Sequence, residues 1–88
     1  MRQKFKLGKK RIDKLCKQFG LTLQFQHSHS DINTVGYYCK GQDFAIDIEF
    51  TKRNILCWTS TGTIETISHN QFYKVYQIIS EAQKYENC

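Results

Sequence analysis

The 88-residue sequence contains no proline, only five glycines and a single tryptophan. Without proline, no helix or strand position is barred by a missing N–H. There is no Gly/Ser-rich stretch, low-complexity tract or internal repeat, so nothing divides the chain, and residues 1–88 read as one domain. No apolar run approaches the roughly 18 to 20 residues that span a bilayer. The basic start, Met1-Arg2-Gln3-Lys4, leads into no signal-type apolar segment. A cytoplasmic protein without a membrane partner is the expectation.

Signatures of catalysis are also missing. There is no Gly-x-Ser-x-Gly elbow, no glycine-rich phosphate loop, and no cysteine in a recognisable histidine context. Asp47 and Glu49 share one face of a predicted strand, a spacing open to acid–base work. Acidic residues on a solvated strand are far commoner, so no enzyme and no catalytic residue are expected. The four cysteines include no Cys-x-x-Cys pair. Cys16, Cys39 and Cys57 fall within hydrophobic patterns and read as reduced core thiols. Cys39 and Cys57 sit on strands expected to flank a third, about 9.6 Å apart. That is too far for a disulfide or a shared zinc ion.

What is present fits a small globular protein: 40% of residues are hydrophobic and 24% charged. From Gly8 to Gly20 the residues Ile12, Leu15, Cys16 and Phe19 recur at helical spacing, and Gly20 supplies the stop. Residues 1–7 are set apart as a candidate flexible basic arm. The period then changes to two. Leu21, Leu23 and Phe25 alternate with Thr22, Gln24 and Gln26; Val35, Tyr37 and Cys39 alternate with Gly36 and Tyr38. Phe44, Ile46, Ile48 and Phe50 oppose Ala45, Asp47 and Glu49. A tight turn near Gly41 keeps Tyr37 and Cys39 on the face of Ile46. Two shorter strands, 55–59 and 63–67, follow.

Ser68-His69-Asn70-Gln71 matches a capping box at the start of a second helix, and Phe72, Val75, Tyr76, Ile79 and Ala82 carry its apolar stripe. The expected fold is α+β, an antiparallel four- to five-stranded meander with an N-terminal and a C-terminal helix packed on one face, in the order α-β-β-β-β-β-α. The other face is expected to be wet and polar to acidic, with Thr22, Gln24, Gln26, Tyr38, Asp47 and Glu49. Trp58 depends on the loop after Phe50. A three-residue loop turns it into the core, the favoured outcome because Leu56 would then be buried too; a two-residue loop turns it out beside Tyr38.

The segment His27-Ser28-His29-Ser30-Asp31 places two imidazoles and a carboxylate at alternate positions. It resembles the His-x-His-x-Asp-His metal signature of the metallo-β-lactamase family over five residues. It departs where Ile32 replaces the last histidine, and the chain is far shorter than that αββα fold, so the family's function is not carried over. No metal and no cofactor are expected.

The charge distribution is the strongest functional signal. Residues 1–17 carry eight cations and one acid, a net +7; residues 18–88 carry five cations and seven acids, a net −2. Lys9, Lys10, Arg11, Lys14 and Lys17 are therefore the expected contact surface for an anionic partner. Lys9, Lys10 and Arg11 are expected either in the first helical turn, where free N–H groups attract phosphate, or in a flexible arm before a helix that starts at Ile12. The expected function is a non-enzymatic binding module for nucleic-acid backbone. The alternative is a small inhibitor or adaptor, of the kind that regulates mobile elements, docking on a nucleic-acid-handling protein through the basic helix or through Tyr38, Asp47 and Glu49. Two nucleic-acid modules do not fit. The double-stranded RNA-binding domain shares the helix–strands–helix order but needs a lysine cluster where Ser68 to Gln71 stand, and an RRM needs aromatic residues among basic ones where Asp47 and Glu49 stand.

Overall fold

A computed structural model describes residues 2–28 and 34–86, with side chains described over 8–28 and 34–84. The order is α1 (Arg2–Phe19), β1 (Thr22–Ser28), β2 (Val35–Lys40), β3 (Ala45–Phe50), β4 (Ile55–Thr59), β5 (Ile64–Ile67), a 3₁₀ turn (His69–Gln71) and α2 (Tyr73–Glu86). The five strands form one antiparallel sheet in chain order, β1-β2-β3-β4-β5. Both helices pack on the same face, α1 over β1 and β2 and α2 over β4. The α+β meander expected from periodicity is the fold observed. Among the described residues no helix is long and apolar enough to cross a membrane.

Alternation along β3 sets the core. Ile46, Ile48 and Phe50 point to the helices and are buried, as are their ladder neighbours Cys39, Tyr37 and Val35 on β2 and Cys57 and Ile55 on β4. Ile12, Leu15 and Cys16 of α1 and Val75, Ile79 and Ala82 of α2 close over them. A chain of rings runs through this layer: Tyr37 meets Phe50 edge-on at 5.7 Å, Phe50 stacks on Phe72 at 5.9 Å, Phe72 meets Tyr76 at 6.1 Å, and Tyr76 meets Phe19 at 5.8 Å. These pairs tie the two helices to each other and to the central strand.

α1 ends as its sequence requires. Gly20 takes φ +68°, a left-handed conformation that glycine adopts without a Cβ penalty. The Leu21 N–H then donates to the Cys16 carbonyl at 2.9 Å, closing a Schellman turn. The helix start differs from expectation: it begins at Arg2, so residues 2–7 continue the helix and Lys9 to Arg11 lie in its interior. The free N–H groups of a first turn are therefore not beside them, and the anion-binding argument for that turn falls.

Two further expectations are corrected. Ser68 occupies an N-cap with extended backbone, but its side chain makes no cap hydrogen bond, and the segment after it is a 3₁₀ turn before α2 begins at Tyr73. The start is pinned instead by His69, whose Nε2 donates to the Thr51 carbonyl at 2.8 Å. Trp58 faces away from the core, because Phe50 pairs with Ile55 across a four-residue loop, which has the same parity as a two-residue loop. Thr51 organises that loop: its hydroxyl accepts from the N–H groups of Arg53 at 3.1 Å and Asn54 at 3.0 Å, and donates to the Asn54 carbonyl at 3.0 Å.

Ile46 is fully buried at the centre of the sheet, so Ile46→Ala should cost about 2–5 kcal/mol in urea melts. Ser68→Ala should stay within about 0.5 kcal/mol, since no cap bond is lost. The buried thiols should also be unreactive. Burial raises the pKa values of Cys16 and Cys39, and burial, with Glu65 and Asp47 adding to it, pushes Cys57 up to about 12. Thiolate is the reactive form. A disulfide-exchange reagent at pH 8 should therefore modify Cys39 and Cys57 only as fast as the protein unfolds, and all four cysteines at once in denaturant.

Candidate functional site

The sheet face turned away from the helices is not the polar surface that simple alternation predicts. β1 carries a bulge between Leu23 and Phe25: Leu23 pairs with Cys39 and Phe25 with the next residue, Tyr38. The extra residue reverses the sides of everything after it. Leu23 still packs on the core, but Phe25 and His27 join the open face. Phe25, expected in the core, is 54% exposed and stacks on the Tyr38 ring at 5.1 Å. The Tyr38 ring offers Phe25 apolar contact on the outer face.

Pairing across the ladders then defines two rows on that face. One runs Phe25, Tyr38, Asp47, Trp58 and Ile64; the other runs His27, Gly36, Glu49, Leu56 and Thr66. Aromatic and aliphatic side chains surround two carboxylates. Ile64 is 67% exposed at the β5 edge, while Trp58 and Leu56 are half-buried. Glu49, expected to be wet, is only 7% exposed.

His27 crosses the middle of this face. Strands β1 and β3 are two spacings apart, about 9.6 Å, yet His27 Nε2 lies 3.0 Å from Asp47 Oδ1 and 3.2 Å from Oδ2. The reach is possible because Gly36 lies between them on β2: a Cβ built there would overlap the imidazole. A glycine inside a strand marks a close approach of other groups, and here the group is a ring lying over the backbone. A ring nitrogen of His27 and one oxygen each of Asp47 and Glu49 lie within 4.8 Å of one another.

The sequence-predicted residues therefore fall on two opposite sides of the molecule. Tyr38, Asp47 and Glu49 are brought together on the open face. Lys9, Lys10, Arg11, Lys14 and Lys17 are all exposed on α1. Lys9 pairs with Asp13 at 3.1 Å, and the Arg11 guanidinium lies over the Phe72 ring at 5.4 Å, joining α1 to the start of α2. Lys10, Lys14 and Lys17 project opposite the buried stripe. His29 and Asp31 lie outside the described residues, and His27 alone of that motif has a described place. Phe25 and Gly36 were not predicted as site residues, His27 was singled out only within the His27-Ser28-His29-Ser30-Asp31 motif, and Trp58 only as the outward alternative beside Tyr38; a glycine within an alternating strand is the signal that could have found the close approach.

Gly36→Ala should destabilise the protein by about 1–3 kcal/mol, because the added methyl meets the His27 ring. Adding His27→Ala should recover most of that loss by removing the ring. Urea melts of the four forms in a double-mutant cycle measure the coupling, and simple additivity would show that the ring does not lie over Gly36.

With this geometry established, comparison with known proteins finds no family model that matches the chain and no curated protein or solved structure that matches it.

Proposed function

We propose that this chain is a non-enzymatic binding module that docks on the sugar–phosphate backbone of nucleic acid through the outward face of α1. One observation carries the reading. Lys10, Lys14 and Lys17 are exposed on the side of the helix opposite Ile12, Leu15 and Cys16, which are buried against the sheet. At a rise of about 1.5 Å per residue the three span about 10.5 Å. That matches about three nucleotides of one strand at roughly 3.4 Å each.

The field reinforces the contact. The excess positive charge belongs to residues 1–17, and the remainder of the chain is net negative, with Asp47 and Glu49 on the far side of the sheet. A polyanion therefore meets the helix first and is repelled by the opposite face. Such binding is tolerant of base sequence and steeply dependent on salt.

A second reading is favoured by a separate observation, the aromatic row Phe25, Tyr38 and Trp58 beside Asp47. Ringed apolar side chains with a few fixed polar groups suit a protein surface. In that reading the chain is an inhibitor or adaptor that docks through its open sheet, and α1 is a solvated face.

Reversing Lys10, Lys14 and Lys17 to Glu should abolish nucleic-acid binding while leaving circular dichroism and the melting temperature near wild type. For single reversals that still bind, each phosphate contact removed should flatten the plot of log affinity against log salt by roughly 0.7 to 0.9. An unchanged slope would move the contact away from α1. Nuclease-resistant binding to a purified protein, lost on Tyr38→Ala or Trp58→Ala, would establish the second reading instead.

A further inference from the structure

The open face holds a donor set that docking of nucleic acid on α1 does not use. His27 Nε2 and Asp47 Oδ1 are 3.0 Å apart, close to the separation of neighbouring ligands around one small cation, whose bonds run about 2.0 to 2.2 Å. The widest separation in the set, which includes a Glu49 oxygen, is no more than 4.8 Å. All three donors project from paired strands rather than loops, which holds their positions without help from a ligand. Asp47 and Glu49 stand two residues apart on the central strand and so share a face. Gly36 is the gap that lets the imidazole reach them.

The surroundings favour a cation. Glu49 is 7% exposed, so an ion held by its carboxylate is shielded from bulk water on that side. Two carboxylates and a neutral imidazole sum to a charge of −2, which one dication neutralises. Phe25 stands beside His27, with ring centroids 5.9 Å apart, and Trp58 pairs with Asp47 from the other side. Apolar walls of this kind lower the local dielectric around a metal and control its access to water.

We propose that His27, Asp47 and Glu49 bind one divalent transition-metal ion, with water completing the coordination from the open side. One imidazole nitrogen with carboxylate oxygens and no sulfur suits Zn²⁺ or Mn²⁺ and disfavours soft Cu(I). Ligation through Nε2 places the remaining ring proton on Nδ1. Gly36 is a positioning residue. The site lies across the sheet from α1 and stands or falls independently of the nucleic-acid reading.

The 88-residue chain, stripped of metal, is titrated with ZnCl₂ by calorimetry, with the histidine side-chain ¹⁵N resonances followed in parallel. The expected result is one equivalent bound and a shift confined to the two ring nitrogens of His27. His27→Ala and the isosteric Glu49→Gln should each weaken binding at least about tenfold, Gly36→Ala by about 10- to 100-fold, and His69→Ala not at all. Amide spectra identify any variant that has unfolded, and Glu49→Gln then carries the test. Substitution with Co²⁺ should give d–d bands without a thiolate charge-transfer band. Equal zinc affinity in wild type and Glu49→Gln, a thiolate band, or no heat at millimolar zinc would each overturn the proposal.

Discussion

Because β3 is paired along both edges, the direction of its side chains is imposed on every other strand through the ladder hydrogen bonds. Ile46, Ile48 and Phe50 must be buried, so Tyr37, Cys39, Ile55 and Cys57 are carried to the same side, and the helices have one place to pack. Asp47 and Glu49 have no choice but the opposite face. The hydrophobic demand of three residues thus fixes the core and also assembles the carboxylates. The same constraint limits repair by substitution: a change that turned Asp47 inward would turn Ile46 and Ile48 outward with it.

The result is a molecule with two unlike surfaces separated by a single core layer. Lysines line the exposed side of α1, while rings and carboxylates occupy the bare face of the sheet. Each surface draws on a different property of the backbone. The helix presents its cations about one turn apart along one side, whereas the sheet brings together residues as distant in sequence as Phe25 and Trp58. Arg11 does not simply add to the basic surface: its guanidinium lies on Phe72, so part of its role is to hold the helices together.

Much of this was legible in the sequence. Alternation gave the strands, their parity and the shared face of Tyr38, Asp47 and Glu49; the helical stripes gave the packing side of both helices. The errors came where a local pattern can be satisfied in two ways. Alternation through Leu21, Leu23 and Phe25 does not record a bulge, so Phe25 and His27 read as lying on the wrong sides or in a loop. Loop length decides Trp58, and it is governed by the Thr51 hydroxyl rather than by any hydrophobic count. Gly8 suggested a helix start, yet it sits inside α1 with its Cα side turned to the Phe50 ring, where a Cβ would lie 3.5 Å from the ring. The capping-box motif named the right place, but the backbone there tightened into a 3₁₀ turn.

The strand order, identical to the chain order, also bears on how quickly the protein assembles. Every ladder joins strands that are consecutive in the chain, and the turn closing β3 to β4 is four residues long, so little chain entropy is lost as each hairpin forms. Such a sheet has low contact order and can zip from any of its turns. Among the described contacts, those most distant in sequence include the ones between the two ends of the chain, where Phe19 reaches Tyr76 and Arg11 reaches Phe72. Docking of the terminal helices on one another, rather than pairing of the strands, is therefore the step with the largest loop to close. Until it is complete, the inner face of the sheet, with Tyr37, Ile48 and Cys57, remains open to water and to other chains.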